Sequence, residues 1–91
     1  MSVSILIPDE LAKYSDGKTQ IEVDVGSIDA ALSSLFETYP DLQKRLVDAN
    51  RHFYPYVPAF LNEEKLPLQG SLNRRLRSGD RLTFIVIASG G

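Results

Sequence analysis

The residues of this chain best placed to do chemistry are Ser89-Gly90-Gly91, because so little else in it is reactive. No cysteine occurs among the 91 residues, which removes disulfides, thiolate metal sites and a nucleophilic thiol. The single histidine, His52, rules out a histidine cluster or a two-histidine mechanism. Lying between Arg51 and Phe53 in a loop, it reads as solvated or locally bonded. The acids Glu63-Glu64 read as turn and edge protection, since no second catalytic group stands beside them. What remains is the main chain. A carboxylate on Gly91, preceded by Gly90, has no Cβ on either residue to block an approach, and both can take backbone angles closed to other residues. A diglycine alone is a modest signal, arising by chance in about one chain in two hundred at about 7% glycine usage. Its meaning depends on what carries it.

The carrier is a strand. Residues 81–88 form the most apolar run of the chain, with Leu82, Phe84 and Val86 on one face and Ile85 and Ile87 on the other. A strand apolar on both faces belongs in the middle of its sheet. Ser78-Gly79-Asp80 is the turn that leads into it. At the other end of the sequence, residues 2–7 place Val3, Ile5 and Ile7 on one face, and Pro8 closes that strand. Asp16-Gly17 is a turn signal, and residues 19–25 alternate Ile21, Val23 and Val25 with Gln20, Glu22 and Asp24. These two strands form a hairpin with a long loop, which Leu11 pins to the core.

Ser27 then caps a helix, with Asp29 in the first turn. Ile28, Ala31, Leu32, Leu35, Phe36 and Tyr39 make one apolar stripe for the core, and Pro40 stops the helix. A short helical turn over residues 42–47 follows. Pro55 and Pro58 leave residues 57–61 as a strand with one irregular end, Asn62-Glu63 turns the chain, and a short return lies near Lys65 and Leu66. The order is β-β-α-β-β-β. It is an α+β, ubiquitin-like β-grasp arrangement: a mixed sheet of four to five strands, first and last central and parallel, with one main helix across one face. Residues 1–87 make that domain and 88–91 a flexible diglycine tail.

Composition narrows the partners. Ten basic and 12 acidic residues leave a net charge of -2, so no overall field draws the chain to nucleic acid or to an anionic membrane. No segment has the length of a membrane span or the form of a signal peptide, which makes the cytoplasm the expected location.

Three stretches carry a family resemblance: "SIDAALSSLFETYPDLQKRLVD", "AFLNEEKL" and, most specifically, "LRSGDRLTFIVIASGG". Through them nearly the whole chain resembles the MoaD/ThiS-type ubiquitin-like sulfur carriers, and "VSILIPDELAKYSDG" looks most like the cysteine-biosynthetic, CysO-like branch. One departure is visible: members often carry proline just before the tail, where this chain has Val86-Ile87-Ala88. The resemblance implies a protein co-substrate, not an enzyme. A MoeB/ThiF-type activating enzyme would use ATP to adenylate the Gly91 carboxylate, and a sulfur donor protein would supply the atom that makes it a thiocarboxylate. The acceptor would be a cysteine synthase-like enzyme, the molybdopterin synthase large subunit or thiazole synthase, with transfer-RNA thiolation a further fit. No cofactor is expected on this chain itself. The chemistry suits the residues, since a free α-carboxyl with pKa about 3.3 to 3.7 is ionised at neutral pH and a poor electrophile until a leaving group is attached.

Residues 88–91, fully extended, reach at most about 14 Å, enough to enter a partner's cleft. Ordering them costs on the order of 1 to 2 kcal/mol each, so the body must add affinity. Leu6, Phe60, Ile85 and Ile87 are expected on the sheet face away from the helix, while Ala59, Leu61, Leu82 and Phe84 face it. Burying about 400 Å² of that open face would yield up to about 10 kcal/mol gross. Arg81 joins these as a partner-binding candidate; with Arg74, Arg75 and Arg77 it is either a patch steering the chain toward an acidic partner or a solvated rim. Two other readings use the same residues. One is a ubiquitin-like modifier joined to target lysines through Gly91, and the other is an interaction module whose diglycine is incidental.

Overall fold

The computed structural model describes residues 2–87, so the diglycine segment at 88–91 lies outside the described residues. Five strands form one mixed sheet: β1 (Val3–Leu6), β2 (Gln20–Val23), β3 (Ala59–Leu61), β4 (Glu64–Lys65) and β5 (Arg81–Phe84). Their spatial order is β2-β1-β5-β3-β4. β1 and β5 run parallel at the centre, while β1 with β2, β3 with β5 and β3 with β4 are antiparallel. The more polar β2 and β4 take the edges, as their alternation requires. This is the ubiquitin-like β-grasp.

Helix α1 (Ile28–Thr38) crosses one face. Its stripe of Ile28, Ala31, Leu32, Leu35 and Phe36 is buried against Val3, Ile5, Ala59, Leu61, Leu82 and Phe84 from the sheet. Each fully buried leucine contributes about 1.5 to 3 kcal/mol. The Ser27 hydroxyl accepts from the Ala30 N–H at 3.1 Å, so Ser27→Ala would cost about 1 kcal/mol. Tyr39, held out of helical geometry before Pro40, still closes the helix by donating to the Leu35 carbonyl at 2.8 Å. The chain continues through a 3-10 turn (Pro40–Leu42) into α2 (Gln43–Leu46), which buries Leu42 and Leu46.

Two segments take forms that the pattern alone does not specify. The hairpin loop is a 3-10 helix (Asp9–Ser15), with Leu11 half-buried against the core and the buried Ser15 hydroxyl donating to the Lys18 carbonyl at 2.7 Å. The connection before β5 crosses the start of α1. There the carbonyls of Arg74 and Leu72 accept from the N–H groups of Ile28 and Asp29 at 3.0 and 2.9 Å. Those donors lack intrahelical partners at any helix start, and here the connecting loop supplies them.

The strands are shorter than the alternation implies, and the reason differs at each end. β1 stops at Leu6 because Pro8 cannot extend the ladder. β5 is regular only to Phe84, yet its antiparallel pairing goes on: Ile85 donates to the Pro58 carbonyl at 3.1 Å and Ile87 to the Tyr56 carbonyl at 2.9 Å.

Candidate functional site

The sheet face opposite α1 follows from the registers. Leu6 and Phe60 both lie opposite Thr83, with Gln20 and Lys65 beyond them, so one row reads Gln20, Leu6, Thr83, Phe60, Lys65 across the sheet. The next row toward the start of β5 holds Glu22, Ser4 and Arg81. Because strand faces alternate every residue, Ile85 and Ile87 continue the Thr83 side toward the exit. Ile85 is 43% and Ile87 51% exposed, whereas Leu6 and Phe60 are half-buried.

The five partner-binding candidates therefore share one face but not one end. Leu6, Phe60, Ile85 and Ile87 gather where β5 leaves the sheet. Arg81 stands beside Ser4 at the start of the strand, six residues and about 20 Å of extended chain from Ile87. Gly90 and Gly91 lie outside the described residues.

Tyr56 belongs to the same region and escapes a sequence reading. Its carbonyl holds Ile87, its side chain is 57% exposed, and its ring stacks on Tyr54 with centroids 5.1 Å apart and planes 12° off parallel. Tyr54 is itself packed against the core, so the exposed ring rests on a fixed neighbour. The only sequence signal is the bracketing pair Pro55 and Pro58, which marks an extended segment without saying what it pairs with. The same pairing bears on the departure before the tail. There this chain, without proline, holds its backbone through the amide donors of Ile85 and Ile87.

Charges on this face are locally satisfied at one corner. The Ser4 hydroxyl above all, then the Gln20 amide and the Ser2 hydroxyl, hold the Glu22 carboxyl below the usual carboxylate range. At the start of β5, Asp80 accepts from the Arg77 N–H at 2.8 Å and from the Asn62 amide at 3.1 Å, and both depress its pKa. Arg74 forms a two-pronged pair with Glu64, at 2.7 and 3.1 Å, that lowers the Glu64 pKa. The arginine cluster is thus divided: Arg74 braces the edge strand, while Arg75, Arg77 and Arg81 make no side-chain ion pair among the described residues, the Arg77 charge adding only at longer range to the lowering of the Asp80 pKa. His52 is locally bonded through its backbone and faces Asp48 at 3.7 Å. Among the described residues no three histidine, cysteine or carboxylate side chains gather as a metal ion would need, and no helix is long and apolar enough to cross a membrane.

No family model and no curated protein matches the chain. Solved structures do. A chain of the Amycolatopsis orientalis BexX/CysO complex superposes with a TM-score of 0.84 at 21% identity, covering 98% of this chain and 99% of that one. Mycobacterium tuberculosis CysO, described as an antigen, gives 0.81 at 23% identity over 93% of this chain and 98% of its own. SAMP1 from Haloferax volcanii gives 0.79 at 24% identity, with 100% of both chains covered. At these identities the likeness is one of fold: this chain has the ubiquitin-like β-grasp of CysO and of a small archaeal modifier protein.

Proposed function

We propose that this chain is a sulfur carrier, a protein co-substrate whose Gly91 carboxylate is activated and loaded by other proteins. The observation that supports it best is the β-grasp fold with its central strand hydrogen-bonded out to Ile87, four residues before Gly91. The reading takes Gly91 as the terminus of the mature polypeptide. Its carboxylate would attack the α-phosphorus of ATP on an activating enzyme, releasing pyrophosphate and leaving an acyl-adenylate. A persulfide on the donor protein would then attack the acyl carbon and expel AMP, and a thiol would cleave the resulting acyl disulfide, freeing the Gly91 thiocarboxylate and leaving the thiol and the donor cysteine joined as a disulfide. Gly90 and Gly91 suit both attacks because no side chain crowds the carbonyl.

Leu6, Phe60, Ile85, Ile87 and Arg81 would contact the activating enzyme, the apolar four beside the tail exit and Arg81 at the far end of the face. The same enzyme would bind the ATP, and the setting would be the cytoplasm. A sulfur-acceptor synthase completes the cycle; the CysO-named neighbours favour one of the cysteine synthase class. The likeness to a small archaeal modifier favours a second reading, in which the activated Gly91 is joined to a target lysine.

Intact mass after incubation with an activating enzyme, ATP and a sulfur donor decides between them. The carrier gains the mass difference of one sulfur for one oxygen. Lysine-linked conjugates without that gain would support the modifier, and an unchanged mass with no conjugates would reject both.

A further inference from the structure

Where it leaves the sheet, β5 is bonded on one side only. Backbone groups alternate sides along a strand. In β5 the odd residues face β3: the Arg81 carbonyl accepts from Asn62 at 2.7 Å, and Ile85 and Ile87 donate to Pro58 and Tyr56. The even residues face β1, beginning with the Asp80 carbonyl, which accepts from the Ser4 N–H at 3.0 Å. In β1 the even residues return that pairing, while Ile7 turns the other way to donate to Thr19 at 2.8 Å. The register of the two strands ends at Leu6 opposite Thr83. The next residue due to face β5, two positions past the end of β1, is Pro8, which has no N–H. The Phe84 carbonyl and the Val86 N–H therefore point beyond the β1 ladder, and Val86 N–H has no backbone partner among the described residues.

A groove of about 400 Å³ lies along this open edge, lined by Leu6, Pro8, Asp9, Glu10, Ile85 and Val86 among others. Asp9 and Glu10 are exposed and make no side-chain hydrogen bond or ion pair among the described residues. Two unmatched backbone groups, an apolar floor and a pair of free carboxylates together describe a guest. It is an extended polypeptide segment with a basic side chain.

We propose that this edge receives an extended segment of the activating enzyme as an added strand, with a lysine or arginine of that segment against Asp9 and Glu10. The enzyme's identity as the guest rests on the carrier reading above. One guest N–H donates to the Phe84 carbonyl and one guest carbonyl accepts from the Val86 N–H. Main-chain bonds of this kind supply affinity, and the side chains at the groove supply choice of partner. A second copy of this chain is the poorer guest, because a two-fold pairing along this edge brings two Asp9-Glu10 pairs together. The added strand would lie beside the exit, so it would also aim residues 88–91.

The test uses the full-length chain and the purified enzyme that forms the thiocarboxylate. Amide exchange at Val86 slows about tenfold or more when the enzyme binds, and does not slow when the free chain is concentrated. Reversing both charges, Asp9→Lys with Glu10→Lys, raises the KM for the carrier about tenfold with kcat unchanged, and flattens its salt dependence. Val86→Pro also raises KM while the Ile85 amide stays protected. A Val86 amide that exchanges equally fast in the complex, protection that follows chain concentration alone, or a charge reversal without effect would each overturn the proposal. If no activating enzyme loads wild-type chain at all, the carrier reading goes first and this partner with it.

Discussion

The two ends of β5 are built differently. At its start both edges are bonded and the turn is braced: Asp80 holds Ser4, Arg81 exchanges hydrogen bonds with Asn62 through backbone and side chain, and Gly79, at φ 89°, donates to the Ser2 carbonyl. Asn62 itself sits at φ 56°, so two turns in left-handed backbone lock onto one another at that corner. At its exit the same strand is bonded only toward Pro58 and Tyr56, and Ile85 and Ile87 expose much of their side chains. A strand fixed at one end and half-open at the other is a rigid base with an accessible tip. The contrast separates what is bonded into the fold from what the fold leaves exposed.

The largest expected effect lies past the tip. Deleting Gly91 abolishes thiocarboxylate formation in the intact-mass assay and leaves the unfolding midpoint unchanged; a loss of activity that comes only with unfolding would show the tail to be part of the scaffold. Next is the inward face of the strand. Phe84 is buried and packs edge-on against Phe53 at 5.9 Å, so Phe84→Ala costs about 3 to 5 kcal/mol in denaturant unfolding. Ile85→Ala, one residue on and exposed, costs less than about 1 kcal/mol. Comparable losses at both positions would erase the distinction between the faces.

Smaller again is the effect on docking. Ile85→Asp weakens binding to the activating enzyme about tenfold or more while the circular dichroism stays native, because it sets a charge into a surface that must be desolvated. Unchanged binding would move the interface elsewhere. The smallest effect tests the braced end. Asp80 carries a depressed pKa through the Arg77 N–H and the Asn62 amide. A lowered folded-state pKa stabilises above the unfolded value of about 3.9 and is lost as pH falls through the folded one. Wild type therefore loses this contribution only in acid below about pH 4, and Asp80→Asn flattens that part of the pH-stability curve. A variant with the full acid dependence of wild type would remove Asp80 as its source.

Much of this was legible in the residues. Ser27, Pro40, Asp16-Gly17 and Ser78-Gly79-Asp80 each fix local backbone by their own chemistry, and all stand where their types require. The two-faced apolarity of β5 put it at the sheet centre, and the alternation of β2 put it at an edge. Less legible were contacts between segments distant in sequence. Arg51 reaches Asp29 at 2.6 Å and the Ser33 hydroxyl at 2.9 Å, pinning the turn after α2 to α1, and nothing in its neighbours announces this. Arg74 reads as one of four like charges until Glu64 takes it. Tyr56 was hidden because its role lies in a carbonyl, which every residue has.

By itself the sequence determined the strands and the main helix in outline, their faces and the absence of side chains on its last two residues, because propensity, periodicity and the missing Cβ act within a few residues. Only the tertiary structure decided which ladder bonds are made and which are left open at the exit of β5. That depends on where Pro8, Tyr56 and Pro58 fall against the strand, a matter of register between segments distant in sequence.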